Sequence, residues 1–176
     1  LIPQDRPWTI EIYRALAFEF KEYNHYHNMI RLSELVLDKW PLHRDAPEVQ
    51  HQIALVYETL AGQTRGEEHE KYAAQALKAR SKLIDYVATP ERIPPWVEAN
   101  KEDPEAIRRA EQLVRGGLRR AAADHTNLAR RMVRQAQTAG DDADRTVAFE
   151  NALAEYRLAA RAWGGYLLQD ENAEDA

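Results

Sequence analysis

The chain has 176 residues, enough for one ordinary domain or a short repeat array with a buried core. Hydrophobic residues make up 44% and charged residues 30% of it, a balance that excludes a disordered chain. The net charge of −5 argues against nucleic acid as the main partner. The absence of cysteine excludes thiol catalysis, disulfides and cysteine-based zinc sites.

The two ends of the chain indicate a fragment. No stretch reaches the roughly 18 apolar residues of a membrane helix, and no signal peptide is recognisable. The chain begins at Leu1 instead of a methionine and ends in the acidic run 169–176. We therefore expect the chain to be a piece of a longer protein. The missing signal peptide then does not indicate where that longer protein is located.

Helices are predicted along the whole chain, because alanine, leucine, arginine and glutamate fill segments that glycine and proline separate. The first should begin after Pro7, with its inner stripe formed by Ile12, Leu16 and Phe20 and the neighbouring Tyr13 and Ala17. A second helix is predicted over 24–40 and should stop at Pro41. Its inward residues should be Met29, Ile30, Val36, Leu37 and Trp40.

A second pair of helices is predicted from Pro47 to Gly62 and over 67–87. An irregular connection over 89–100 should follow. An aspartate cap at Asp103 then predicts a long helix over 104–139, which the pair Gly116-Gly117 could kink or break. After a stop at Gly140, the last helix is predicted over 143–168.

A repeat pattern links these helices. On the first helix it places Tyr13, Leu16, Ala17 and Phe20, and on the second Tyr26, Met29, Val36 and Pro41. A second unit carries Ile53, Ala54 and Tyr57, and a third carries Leu128, Ala129, Met132, Tyr156, Ala159, Trp163 and Tyr166. With these residues the chain resembles the tetratricopeptide-repeat family. The resemblance implies one all-α domain over 1–176, an α-solenoid of about three hairpins at 8–43, 47–90 and 104–170, the second and third with elongated helices.

Two segments of the sequence point to particular groups within this family. Residues 35–41, together with 46–50, look like the connection between repeats in bacterial cell-envelope repeat proteins. These proteins include the outer-membrane assembly lipoprotein group. The stretch 96–107 is similar to deltaproteobacterial repeat proteins, some linked to gliding motility. The resemblance implies a non-catalytic scaffold that binds other proteins in an envelope assembly, in the periplasm or at the outer membrane. The alternative is a cytoplasmic adaptor or co-chaperone, and the oligomeric state stays open.

No enzyme, cofactor or metal site is predicted. His25 and His27 are two residues apart and so point in different directions, whereas a metal pair on a helix prefers a spacing of four. The run 67–70 has no second histidine at the distance a zinc-protease helix requires. No phosphate-binding glycine loop or nucleophile elbow is present. A carbohydrate- or metal-binding module remains an alternative.

Two sets of residues are candidates for partner binding. Arg108, Arg119 and Arg130 are spaced by eleven, so on a continuous helix they would share one side over about 33 Å. They would form either a docking surface for an anionic partner or an ordinary solvated face. Tyr23, Tyr26 and Trp96 lie beside loops or on the expected inner face, and could anchor a peptide or pack in the core.

Overall fold

A computed structural model describes residues 8–171, with side chains to residue 168, and these residues form helices and no β-strand. This confirms the all-α class, while a tetratricopeptide-like solenoid stays a prediction. Seven α-helices and one 3-10 helix follow in order: α1 Thr9–Glu22, α2 Tyr26–Lys39, α3 Ala46–Gln63, α4 Glu67–Ser81, the 3-10 helix Lys82–Tyr86, α5 Pro95–Ala99, α6 Pro104–Thr138 and α7 Asp142–Glu171. The chain divides into two compact units, the first ending at Val114 and the second beginning at Arg115.

A tight turn joins α1 to α2. Asn24 adopts the left-handed conformation with φ of 60°, which asparagine tolerates better than most residues. The His25 N–H donates to the Phe20 carbonyl at 2.7 Å and the Asn24 N–H to the Lys21 carbonyl at 3.0 Å. These two hydrogen bonds are those of a Schellman motif, which satisfies the last carbonyls of α1 and lets α2 begin at once.

The buried stripe of α1 differs from the predicted one. Ile12 and Leu16 are 41% and 39% exposed, and the helix buries Ala17, which was predicted, and Ile10, which was not. The prediction for Ile12 and Leu16 is therefore wrong. Apolar residues occur on two sides of α1, and the side that contacts α2 and α3 is decided by packing, which places Ile10 against Val36 and Val49.

The helices α2, α3 and α4 form the core of the first unit. Met29 and Ile30 of α2 pack with Ile53 and Ala54 of α3 and with Ala79 of α4. Each helix contacts the next one along the chain. The predicted fourth helix changes character near its end, because its last turn, 82–86, is a 3-10 helix instead of a continuation of α4.

The connection predicted as irregular contains the short helix α5. Pro95 occupies its first turn, where a missing N–H costs nothing. The predicted cap of the next helix is confirmed, since Asp103 Oδ1 accepts the Ala106 N–H at 3.0 Å. The helix α6 then runs through Gly116 and Gly117 without interruption, so the break considered there does not occur.

In the second unit alanine dominates the buried positions of both helices. These positions include Ala121, Ala122, Ala129 and Ala136 of α6 and Ala152, Ala159 and Ala162 of α7. His125 Nδ1 and Glu155 Oε2, 2.6 Å apart, connect the two helices. The restart after Gly140 is confirmed, because Asp141 Oδ1 accepts the Asp144 N–H at the beginning of α7. Within the described part of the chain, no helix is long and apolar enough to cross a membrane.

Candidate functional site

A cavity of about 540 Å³ opens on the first unit between α2, α3, α4 and the 3-10 helix. This volume lies in the range of ligand-binding pockets and admits a few residues of an extended peptide. We call this cavity the groove. The residues that line it include Glu34, Asp38, Gln50, Tyr57, Lys78 and Lys82.

The floor of the groove is α3, which is cross-linked to α4. Gln50 is buried, and its Nε2 donates a hydrogen bond of 2.9 Å to the Ala79 carbonyl. The buried Arg80 of α4 contacts Glu58 Oε1 of α3 at 2.7 Å through both Nε and Nη2. Breaking such a buried charge pair is costly, so α3 and α4 keep their spacing. A ligand would therefore meet a preorganised surface.

The unpaired charges on the two walls of the groove are opposite in sign, while Asp85, which also lines the groove, is paired with Arg92 at 2.9 Å. Glu34 and Asp38 lie four residues apart on α2, and Lys78 and Lys82 repeat this spacing on the α4 side. Residues four apart on a helix are neighbours, and like charges at this spacing destabilise it slightly. All four side chains are exposed, and none of them pairs with another residue in the described part of the chain.

Tyrosines add neutral hydrogen-bonding groups to the groove. Burial, followed by the neighbouring Glu34 and Tyr72, raises the pKa of Tyr57 above its ordinary value. Burial, followed by the charge of Asp85, raises the pKa of Tyr86 to about 12. Both phenols therefore stay protonated at neutral pH and can donate a hydrogen bond.

The three aromatic residues predicted as anchors have different surroundings. Tyr23 is 69% exposed, and Tyr26 is half-buried with its hydroxyl donating to Asn24 Oδ1 at 2.6 Å. Neither lines the groove. Trp96 is only 2% exposed and its Nε1 donates to the His43 carbonyl at 2.7 Å. Trp96 therefore packs in the first unit, the second of the two alternatives for this residue, and partner binding by any of the three aromatic residues stays a prediction.

The three predicted arginines fall in different units. Arg108 belongs to the first unit and Arg119 and Arg130 to the second. All three are exposed, and none forms an ion pair with any residue whose side chain the structure describes. Their role in binding stays a prediction.

One cluster with metal-ligand chemistry, which the sequence did not indicate, lies at the joint between α2 and α3. Ligand atoms of Glu11, His43 and Asp45 lie within 4.8 Å of one another. However, Arg14 Nη1 contacts Glu11 Oε2 at 3.2 Å and Asp45 Oδ2 at 2.5 Å. Burial is the main cause that lowers the pKa of His43, whose Nδ1 accepts the Asp45 N–H. The guanidinium already neutralises both carboxylates, so this cluster is a structural joint.

The charged walls of the groove were also not predicted from the sequence. Each wall is visible in the sequence only as two like charges four residues apart, and the chain separates the walls by about 40 residues. No protein-family model, curated protein or solved structure matches the chain.

Proposed function

We propose that this chain is a non-catalytic protein-interaction module whose groove binds an extended segment of another protein. The observation that supports the proposal is the set of unpaired charges, negative on the α2 wall and positive on the α4 wall. On the α2 wall, Glu34 and Asp38 repeat one sign at a spacing that slightly destabilises their helix. A ligand of matching charge removes that cost, so binding explains an arrangement that folding alone does not favour.

The charges define the chemistry of the partner. A segment with a basic residue facing Glu34 and Asp38 and an acidic residue facing Lys78 and Lys82 would complement both walls. Exposed ion pairs contribute about 0.2–1 kcal/mol each. Two such contacts would change the dissociation constant by roughly twofold to thirtyfold. Contact with the half-buried Leu37 and Tyr57 would add apolar area to the interface. The charges would therefore contribute more to the choice among segments than to the affinity.

The resemblance to tetratricopeptide repeats supports a wider role as a scaffold. By that resemblance, the chain would hold together a multiprotein assembly of the bacterial envelope, in the periplasm or at the outer membrane, with gliding-motility or outer-membrane machinery as candidates. The cytoplasmic adaptor remains the alternative. Co-chaperone repeats use a basic clamp for a carboxylate, and the acidic wall of Glu34 and Asp38 would repel such a ligand. A carbohydrate- or metal-binding module has no comparable support.

The test uses synthetic peptides of known charge pattern. A peptide array in which one lysine and one glutamate move along an otherwise uncharged sequence is exposed to the labelled chain. Binding should concentrate at one spacing and decrease at high salt. The strongest peptide is then titrated against the double variant Lys78→Glu/Lys82→Glu. We expect about tenfold weaker binding. A peptide with lysine in place of its glutamate should recover part of the loss.

The matched control is Lys39→Glu/Lys71→Glu. These lysines are exposed and lie outside the groove lining, and the change in net charge is the same. The control should bind the peptide as the unaltered chain does. Equal loss in both double variants would contradict the proposal, as would an array without a preferred charge pattern.

A further inference from the structure

The helix α7 carries a second apolar stripe on its outer surface. Six residues recur at alternating steps of four and three: Phe149, Leu153, Tyr156, Ala160, Trp163 and Leu167. All six are exposed, and the five large ones are 37–54% accessible to solvent. A 4-3-4-3-4 spacing is the heptad pattern of a left-handed coiled coil. We call this set the heptad stripe.

The heptad stripe is separate from the inner face of α7. The buried residues Ala152, Ala159 and Ala162 occupy the same side of the helix as Glu155, which contacts His125. At 100° per residue, the centre of the heptad stripe lies roughly 100° around the helix axis from the centre of that side. A helix that is apolar on two sides normally buries both. An exposed patch about 27 Å long therefore indicates an interaction surface.

The side chains alternate in size along the heptad stripe. One heptad position is always aromatic, with Phe149, Tyr156 and Trp163. The other is always aliphatic, with Leu153, Ala160 and Leu167. In an antiparallel pair of helices each layer contains one residue of each position. In a parallel pair each layer contains the same position twice, which would place tyrosine against tyrosine and leave a gap between two alanines.

An antiparallel second copy fits this alternation in every layer. A twofold axis midway between Tyr156 and Ala160 places Phe149 opposite Leu167, Leu153 opposite Trp163, and Tyr156 opposite Ala160 of the other copy. Each of the six layers then combines one aromatic with one smaller aliphatic residue. The surface is self-complementary, as a twofold interface must be.

We propose that the chain forms a homodimer in which the heptad stripes of two α7 helices pack antiparallel across a twofold axis. The occupant of the heptad stripe is a second copy of this chain. The inference is independent of the groove, because it depends on residues of the second unit alone.

Cysteine cross-linking tests both the partner and the direction, because the chain has no cysteine of its own. The variants Phe149→Cys and Leu167→Cys change only the end layers. When the two are mixed and mildly oxidised, they should form a disulfide-linked dimer, because the two positions meet. Each variant alone should stay uncross-linked, because like positions would lie about 27 Å apart. The exposed variant Arg130→Cys on α6 measures random collision.

A second measurement tests the dimer without cysteine substitutions, which could themselves weaken it. The side chain of Tyr156 is half-exposed, so Tyr156→Glu should leave the helical content of the chain intact. In sedimentation equilibrium it should raise the dimer dissociation constant by about a hundredfold, because two carboxylates would enter the interface. Leu158→Glu, which lies off the heptad stripe, should leave the dimer unchanged.

Three outcomes would overturn the proposal. Cross-linking of Phe149→Cys with itself would mean a parallel pair. A Tyr156→Glu chain that dimerises as tightly as the unaltered one would place the interface elsewhere. If the unaltered chain is monomeric at every concentration, the partner of the heptad stripe would be a helix of a different protein.

Discussion

Trp96 joins two distant segments of the first unit with one side chain. Its indole donates to the His43 carbonyl, 53 residues earlier, and its ring meets Tyr86 edge-to-face at 5.7 Å between centroids. It also packs against Ala46, at the beginning of α3, and Ala106 of α6. An exposed tryptophan could anchor a partner, but these contacts use both the polar and the apolar part of this one.

In the part of the chain with described side chains, His51 buries a ring nitrogen, Nδ1, that makes no hydrogen bond. Burial is the main cause that lowers the pKa of His51 from its ordinary 6.5. The unfolded chain therefore binds a proton near pH 6.5, whereas the folded chain binds it only at lower pH. The free energy of unfolding must fall as the pH falls below about 6.5.

Replacing His51 by leucine should remove both effects. We expect His51→Leu to raise the free energy of unfolding by about 1 kcal/mol at neutral pH, because no unsatisfied nitrogen remains. It should also flatten the decline between neutral and mildly acidic pH. Urea denaturation at several pH values measures both. His43, whose pKa burial also lowers, should keep part of the slope, so His43→Gln/His51→Leu should flatten it further. An unchanged slope in His51→Leu would refute this account.

At the scale of the helix, α6 shows that glycine inside a helical sequence need not break it. Gly116 lies in the interior of α6, and a Cβ atom added there would meet nothing within 4 Å. Gly66 precedes α4 with φ of 60°, a conformation that side chains other than glycine rarely adopt. The first glycine is therefore dispensable to its helix, and the second is required by its turn.

The same substitution at these two glycines should have opposite effects. Gly116→Ala should raise the free energy of unfolding by about 0.5–1 kcal/mol, because alanine loses less conformational freedom in a helix. Gly66→Ala should lower it by about 1 kcal/mol or more, because a Cβ strains the left-handed backbone. Urea denaturation of the two variants beside the unaltered chain measures both. A destabilised Gly116→Ala would mean that α6 is bent or tightly packed at this point.

At the scale of the whole molecule, local sequence signals predict the helices well. Breakers such as Pro41 and Gly140 and the cap at Asp103 depend on neighbouring residues only, so most helix ends fall within a few residues of their predicted positions. The short helix α5 was not predicted because Pro90 and Pro94 precede it and Pro95 is its first residue, and three prolines in six residues indicate an irregular segment. The inner stripe of α1 was misassigned because two sides of that helix are apolar, and only packing decides between them.

The groove could not be predicted in the same way. One wall belongs to α2 and the other to α4 and the 3-10 helix. Whether Glu34 and Lys78 face one cavity depends on how α3 packs between α2 and α4. Neither wall carries a motif. The heptad stripe of α7 is local and readable in the sequence, but its exposure is not. Alanine occurs on both sides of this helix, buried at Ala159 and exposed at Ala160, and the large apolar residues lie on the exposed side, so composition alone does not show which side is buried.

The two proposed surfaces lie in different units, and we expect them to act independently. Tyr156→Glu should raise the dimer dissociation constant by about a hundredfold and leave the affinity for the selected peptide within about twofold. Lys78→Glu/Lys82→Glu should weaken peptide binding and leave the dimer dissociation constant within the same factor. Because the substituted residues belong to different compact units, the triple variant should show each effect at the size that it has in the simpler variant, to within about 0.5 kcal/mol. Peptide titration and sedimentation equilibrium on all four chains complete the cycle. Loss of peptide binding in Tyr156→Glu, with helical content unchanged, would show that the groove functions only in the dimer.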